Sequence, residues 1–191
     1  AFLQAPFHTA PRDASLIRAD DPRPPVYLIR NGFAYRSSIL ADGRRAILDL
    51  LVPGDIAGLD HPVLGPSGEE IIAASRLGYH ALGAAELRAL MADRAVALRV
   101  LALMAEARRR VDRLAATIGR LDARARLGAL LLDVHDRLRQ RELIGRQSFN
   151  LPLTQEQIAD HLGLTLVHVN RTLRRMREER LVLIDRQVVI I

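Results

Sequence analysis

No cysteine, no lysine and no long apolar run occur among these 191 residues, and each absence excludes something. Without cysteine the chain cannot form disulfides, hold an iron–sulfur cluster through thiolates or build a cysteine-based zinc site, and a reducing cytoplasm suits it. No apolar stretch reaches the ~18 residues of a membrane span, and the start lacks the charged region of a secretion signal, so a soluble, cytoplasmic chain with no membrane partner is expected. The chain opens on Ala1 rather than Met, so its natural N-terminus is expected to be missing or trimmed. All 28 basic residues are arginine, which nucleotide bias in the source genome explains without invoking function. With 49% hydrophobic residues, the chain has material for one large or two small domains with real cores.

Charge is unevenly placed. Residues 1–87 carry eight arginines against ten acids, residues 88–146 fourteen against seven, and residues 147–191 six against five. An acidic first part argues against nucleic acid wrapping the whole chain, whereas a basic middle offers phosphates a positive flank.

The most specific segment runs from Thr154 to Arg175. Thr154 with Gln157 three residues on fits a capping box, so a short helix starts there. Ile158 and Leu162 lie one turn apart on its inner face, and Ala159 is small enough for a second helix to approach closely. Gly163 ends it in the left-handed conformation, and Thr165 caps the next helix. There Val169, Leu173 and Met176 repeat at helical spacing and face inward, leaving Leu166, Val167, His168, Asn170, Arg171, Arg174 and Arg175 on the surface. Residues 165–177 hold four arginines and no acid. This is the spacing of a helix-turn-helix, whose second helix enters the major groove of DNA, where Arg pairs with guanine and Asn with adenine. Helix pairs with a glycine turn also occur as plain packing units. The stretch after Arg180 favours DNA, because Leu181–Ile184, the turn Asp185-Arg186 and Gln187–Ile191 form a short hairpin, a wing beside the helices.

The first third reads as β structure. Val26–Arg30, the turn Asn31-Gly32 and Phe33–Ile39 predict one hairpin, and Asp42-Gly43 leading into Arg45–Leu51 predicts a second, closed by Pro53-Gly54-Asp55. Further strands are expected at Ile71–Arg76 and Gly78–Leu82, with Asp60–Gly68 as a surface loop. Short strands joined by tight turns suggest a small barrel or jelly roll whose mouth holds a ligand. Residues 84–121 contain no proline and read as one helix of roughly 57 Å. Its seam of Ala97, Val100, Met104, Ala107, Val111, Leu114, Ile118 and Leu121 steps by threes and fours and predicts pairing with a second copy; packing inside its own chain is the competing arrangement. The helix breaks near Asp122. Leu127, Leu130, Leu131, Val134 and Leu138 form the inner face of another helix, ended near Gly145, and Arg146–Leu153 is a linker.

The whole is α+β, and it resembles the cyclic-AMP receptor and fumarate-nitrate regulator (Crp-Fnr) family of bacterial transcription factors over nearly its full length. The residues that carry the resemblance are Val26–Gly32 with Asp42-Gly43-Arg44, the turn Pro53-Gly54-Asp55, the long helix, and Leu153–Arg175 with its wing. The resemblance implies a jelly-roll-like, cyclic-nucleotide-binding-like effector barrel over residues 1–83, a dimerisation helix over 84–121 and a winged helix-turn-helix over 122–191. It also implies a homodimer on a two-fold symmetric operator, contact with RNA polymerase, and an effector in the barrel. Two departures matter. Cyclic-nucleotide-binding members hold the phosphate with a Gly-Glu pair and an Arg-Ser pair; here stand Gly54-Asp55 and, matched without gaps back from Arg76, Glu69-Glu70. Acids where the phosphate should sit predict no tight cyclic-AMP binding, and Gly54, Asp55, His61 and Arg76 are the candidates for an effector that is not cyclic AMP. In the recognition helix Leu166 and Val167 replace the family's frequent Arg and acid, whereas Arg171 matches its shared arginine, so a different operator is expected. Arg171 is assigned to a guanine, His168 or Asn170 to a neighbouring base or phosphate, Leu166 and Val167 to thymine methyls, and Thr165, Arg174 and Arg175 to the backbone, with Thr154 and Gln155 as further DNA-binding residues.

His8, His61, His80, His135, His161 and His168 lack metal-site spacing, and His61 and His80 fall nearest the barrel. Asp133–Asp136 reads as helix surface. No cofactor or metal is called for, and no nucleophile with a base in reach makes an enzyme of the chain. Two alternatives stand beside the effector-gated regulator. One is an effector-independent regulator whose barrel is a scaffold or polymerase contact; the other is a small-molecule-binding barrel whose winged helix contacts protein.

Overall fold

The protein is described from a computed structural model covering residues 2–22, 24–65, 68–145, 148–185 and 187–190. It divides into two compact units, Ala1–Val111 and Asp112–Ile191.

The first unit contains β1 (Phe7–Ala10), β2 (Ser15–Ile17), β3 (Val26–Asn31), β4 (Ala34–Ile39), β5 (Arg45–Leu51), β6 (Ile56–Ala57), α1 (His61–Leu64), β7 (Glu70–Ala73) and β8 (Leu77–Leu82). Among the described residues the strands form two antiparallel sheets, ordered β1-β8-β3-β6 and β2-β7-β4-β5. Every strand contributes to one core, made by Ala10, Ile17, Tyr27, Ile29, Ala34, Leu51, Ala57, Ile71, Ala73 and Leu77. Alternating inward residues of two sheets make a jelly-roll-like sandwich. Tyr27 donates its hydroxyl to the Leu16 carbonyl at 2.9 Å, and burial pushes its phenol up to about 12.

Asn31-Gly32 is not a hairpin turn. β3 pairs with β6 and β8, whereas β4 pairs with β5 and β7, so the turn carries the chain from one sheet to the other. Gly32 does take φ +78°, and a Cβ there would run into the Arg76 carbonyl. The second expected hairpin is present: β4 and β5 pair around Asp42-Gly43, with Gly43 at φ +82° and the Asp42 carboxylate accepting from the Arg44 amide. The expected loop over 60–68 contains the short α1; Pro66 and Ser67 lie outside the described residues.

The single helix expected over 84–121 is two. α2 (Ala84–Leu90) ends three residues before α3 (Arg94–Arg120), and Asp93 restarts the helix by accepting from the amides of Ala95 (2.7 Å) and Val96 (3.3 Å). Val100, expected at an inter-chain seam, is instead 6% exposed in a second core of its own unit with Val26, Leu59, Leu82 and Leu87. Met104 packs at the edge of the same core.

In the second unit Asp122 caps α4 (Ala123–Gln140), accepting from the Ala125 amide at 2.8 Å, and Leu127, Leu130, Leu131, Val134 and Leu138 are buried as expected. So are Val134's neighbour His135 and, two residues on, Arg137, so the stretch read as helix surface is half core. The helix stops at Gln140 rather than near Gly145, because Glu142 turns left-handed (φ +57°) and the amides of Glu142 and Leu143 close back onto Arg139 and Leu138. The expected linker contains a strand, β9 (Ser148–Asn150); Arg146 and Gln147 lie outside the described residues. Then come α5 (Gln155–Leu162), α6 (Leu166–Glu178), β10 (Leu183–Asp185) and β11 (Val188–Ile190). β11 pairs with both β10 and β9, giving the wing a third strand; Arg186, expected in a turn, and Ile191 are outside the described residues. α4 and α5 both pack on α6, over a core including Leu127, Val134, Ile158, Leu162, Val169 and Leu173.

Truncating Val100 to Ala removes buried methyl groups from an intra-chain core. Chemical denaturation should show a loss of about 2 kcal/mol that is the same at every protein concentration; a loss that varies with concentration would put Val100 at a chain–chain seam.

Candidate nucleic-acid interface

α5 begins in a reciprocal cap: the Gln157 amide donates to Thr154 Oγ1 at 3.1 Å and the Thr154 amide to Gln157 Oε1 at 2.9 Å. Ile158, Ala159 and Leu162 are buried on its inner face. Gly163 stands at φ +61°, ψ +39°, and the Leu164 amide returns to the Ala159 carbonyl at 3.0 Å. Thr165 caps α6 by accepting from the His168 amide at 3.3 Å. Thus α5 and α6 are joined by three residues, each terminus with its own stop or start signal.

On α6, Val169, Leu173 and Met176 are buried. Leu166, Val167, His168, Asn170, Arg171, Arg174 and Arg175 are all exposed, as are Thr165 and Thr154, with Gln155 half-buried. Val167, Asn170, Arg171, Arg174, Arg177 and Glu178 line one shallow groove along the helix. Arg177 belongs to this face and was missed as a site residue, although its spacing of three from Arg174 is the available signal. Arg174 lies 3.7 Å from Glu178, an exposed and weak pair, whereas Arg171 has no ion pair or side-chain hydrogen bond among the described residues. The Asn170 side chain donates through Nδ2 to the Leu166 carbonyl at 3.1 Å. The helix N-terminus also brings unpaired amides and a partial positive charge to the end that would meet phosphate.

The first unit holds a cavity of about 270 Å³ beneath α3. Of the four candidates placed there by resemblance, only His61 lines it. Asp55 is buried in its turn, accepting from the Val52 amide at 2.8 Å, beside Gly54 at φ +94°. Arg76 is exposed on the turn facing Gly32. The cavity's charged walls bring Glu69, one of the two acids matched to the phosphate position, together with Arg36, Asp49 and Arg110, which the sequence left unassigned: Arg36 lies 3.1 Å from Glu69, and Arg110 on α3 donates to both oxygens of Asp49 on β5, at 2.8 and 3.2 Å. Arg36 and Asp49 are opposed across β4 and β5. Cation and acid therefore alternate along one wall. Met104, Ala107 and Val111, assigned to an inter-chain seam, also line this cavity. Among the described residues no cluster of three or more His, Asp, Glu or Cys could hold a metal ion, and no helix is long and apolar enough to cross a membrane.

Comparison with known proteins agrees with this anatomy. Residues 125–191 match the Crp-like helix-turn-helix domain. The chain is 31% identical over 156 residues to the nitrogen fixation regulation protein FixK of Rhizobium meliloti (strain 1021), covering 82% of this chain and 68% of that one. It is 28% identical to the transcriptional activatory protein AadR of Rhodopseudomonas palustris, covering 91% and 72%. Among solved structures, FixK2 from Bradyrhizobium japonicum superposes with a TM-score of 0.87 at 25% identity, covering 98% of this chain and 92% of that one. An α+β chain with a sandwich, a long helix and a Crp-like reading head, it belongs to the Crp-Fnr family of DNA-binding transcription regulators and is not an enzyme.

Proposed function

We propose that the protein works in the bacterial cytoplasm as a homodimer that binds a two-fold symmetric operator, each copy placing α6 in a major groove. Half-sites one duplex turn apart, about 34 Å, fit such a pair. The observation that carries the dimer is the pair of stripes on α3. The stripe containing Val100, Met104, Ala107 and Val111 is engaged by its own unit, while Leu98 and Leu101 on the other side stand 56% and 58% exposed. Leu98, Leu101, Ala105, Asp112, Ala116 and Gly119 follow each other by threes, fours and one seven, a helix-pairing repeat. We offer this seam in place of the one read from periodicity, of which Val100, Met104, Ala107 and Val111 are engaged by their own unit. Isolated exposed leucines are ordinary; two on one turn of a largely small-residue stripe favour a second copy of the same helix.

Arg171 is assigned to a guanine edge, because its guanidinium is exposed on the groove-lining face and uncommitted. Val167 and Asn170 lie beside it, and Arg174, Arg175, Thr165, Thr154 and Gln155 serve the backbone. The cavity under α3 does not suit a cyclic phosphate: Arg110 is held by both oxygens of Asp49, and the Glu69 carboxylate lies 3.1 Å from Arg36, so a phosphate would lie beside two acids. One observation favours DNA binding without any effector: the Arg110–Asp49 pair joins α3 directly to β5.

Three outcomes test this. Arg171→Ala should cost about 1–3 kcal/mol of operator affinity and relax one base position, read by gel shift on a panel of single-base variants; an unchanged profile removes Arg171 from base readout. Leu101→Glu should convert a dimer to a monomer in sedimentation while the fold survives, and continued dimerisation would move the seam elsewhere. Calorimetry with cyclic AMP should give no micromolar binding, and a micromolar isotherm would show that the cavity's ion pairs yield to phosphate.

A further inference from the structure

Arg126 sits in the first turn of α4, close to the positive end of that helix's dipole, where a cation stabilises nothing in α4 itself. Its guanidinium reaches out of the helix in two directions. Nε donates to the Leu121 carbonyl at 2.8 Å, one residue beyond the end of α3, and Nη1 donates to the Leu162 carbonyl at 3.0 Å, the last residue of α5. Carbonyls at helix C-termini lack intrahelical partners and carry the negative end of the dipole. One planar fork therefore satisfies the ends of two different helices, which the compact ammonium of a lysine cannot do from one position.

The second observation is the packing around the hinge. A Cβ on Gly163 would lie 3.5 Å from Ile118 Cγ2 on the last turns of α3 and 3.8 Å from Arg126 Nη1. The turn between α5 and α6 thus rests within van der Waals reach of the end of α3, with Arg126 holding the same two elements by hydrogen bonds. Arg126 is absent from the groove-lining face of α6.

We infer that Arg126 is a positioning residue for operator reading: it fixes the orientation of the helix-turn-helix relative to the end of α3, and so sets the distance between the two half-sites a dimer accepts. This rests on the dimer proposed above. If α3 pairs the two copies, any swing of α5 and α6 against α3 changes the half-site separation, and the swing requires breaking the Arg126 bond to Leu121 or to Leu162.

The test is selection of bound DNA from a random duplex pool by the full chain, by Arg126→Met and by Arg126→Lys, reading both the half-site letters and their spacing. The wild-type chain should enrich paired half-sites at one spacing. Arg126→Met should enrich the same letters at several spacings, bind the wild-type palindrome at least tenfold more weakly, and bind a duplex with a single half-site as the wild type does. Arg126→Lys should fall between, because it keeps the charge but reaches one carbonyl. Thermal unfolding of each variant reports the fold, and if the Met variant does not fold the Lys variant carries the comparison. An unchanged single spacing in a folded variant overturns the assignment, as does an equal loss on the single half-site, which would mean direct DNA contact or damage to the reading head. If the wild-type chain itself enriches only unpaired half-sites, the dimer reading fails and the assignment fails with it.

Discussion

Joining α5 to α6 in three residues requires one of them to turn left-handed, and the reading head depends on Gly163 doing so. Lack of room is not what selects glycine there: the nearest atom to a Cβ would be 3.5 Å away, an ordinary contact. The constraint is φ +61°, which an L side chain adopts only at a cost. From that turn follow the position of Thr165 as a cap, the direction of α6, and the exposure of Arg171 on the side away from Val169 and Leu173.

Local signals were readable in the sequence and long-range ones were not. Thr154, Gln157, Gly163, Thr165 and Asp122 act within four residues of themselves, and each does what its chemistry predicts. Asn31-Gly32 announces a left-handed turn, and Gly32 makes one, but which strand β3 pairs with is decided by β6 and β8, remote in sequence. The helix end at Glu142 was invisible because Glu142 takes the left-handed stop position without being glycine. The break between α2 and α3 needed neither proline nor glycine, only Asp93 as a new cap. Periodicity pointed to the stripe of α3 that holds Val100 and could not say that Val100 packs into the core of its own unit. The Arg110–Asp49 and Arg36–Glu69 pairs join residues 61 and 33 positions apart, beyond any spacing argument.

Those ion pairs give the cavity its character. Buried charges are costly to desolvate, and pairs of this kind seldom add much net stability; what they add is a defined geometry and a penalty for removing either partner. Here the Arg110–Asp49 pair fastens α3 to the sandwich, while the opposite stripe of that helix, with Leu98 and Leu101, is exposed. If α3 pairs two copies as proposed, that exposed stripe is the face that meets the second copy.

Hydroxyl-radical footprinting on a duplex carrying the selected operator tests the paired arrangement directly. Two protected patches on one face of the duplex, centred about 34 Å apart, are predicted. A single patch at saturating protein contradicts the pairing of two reading heads through α3.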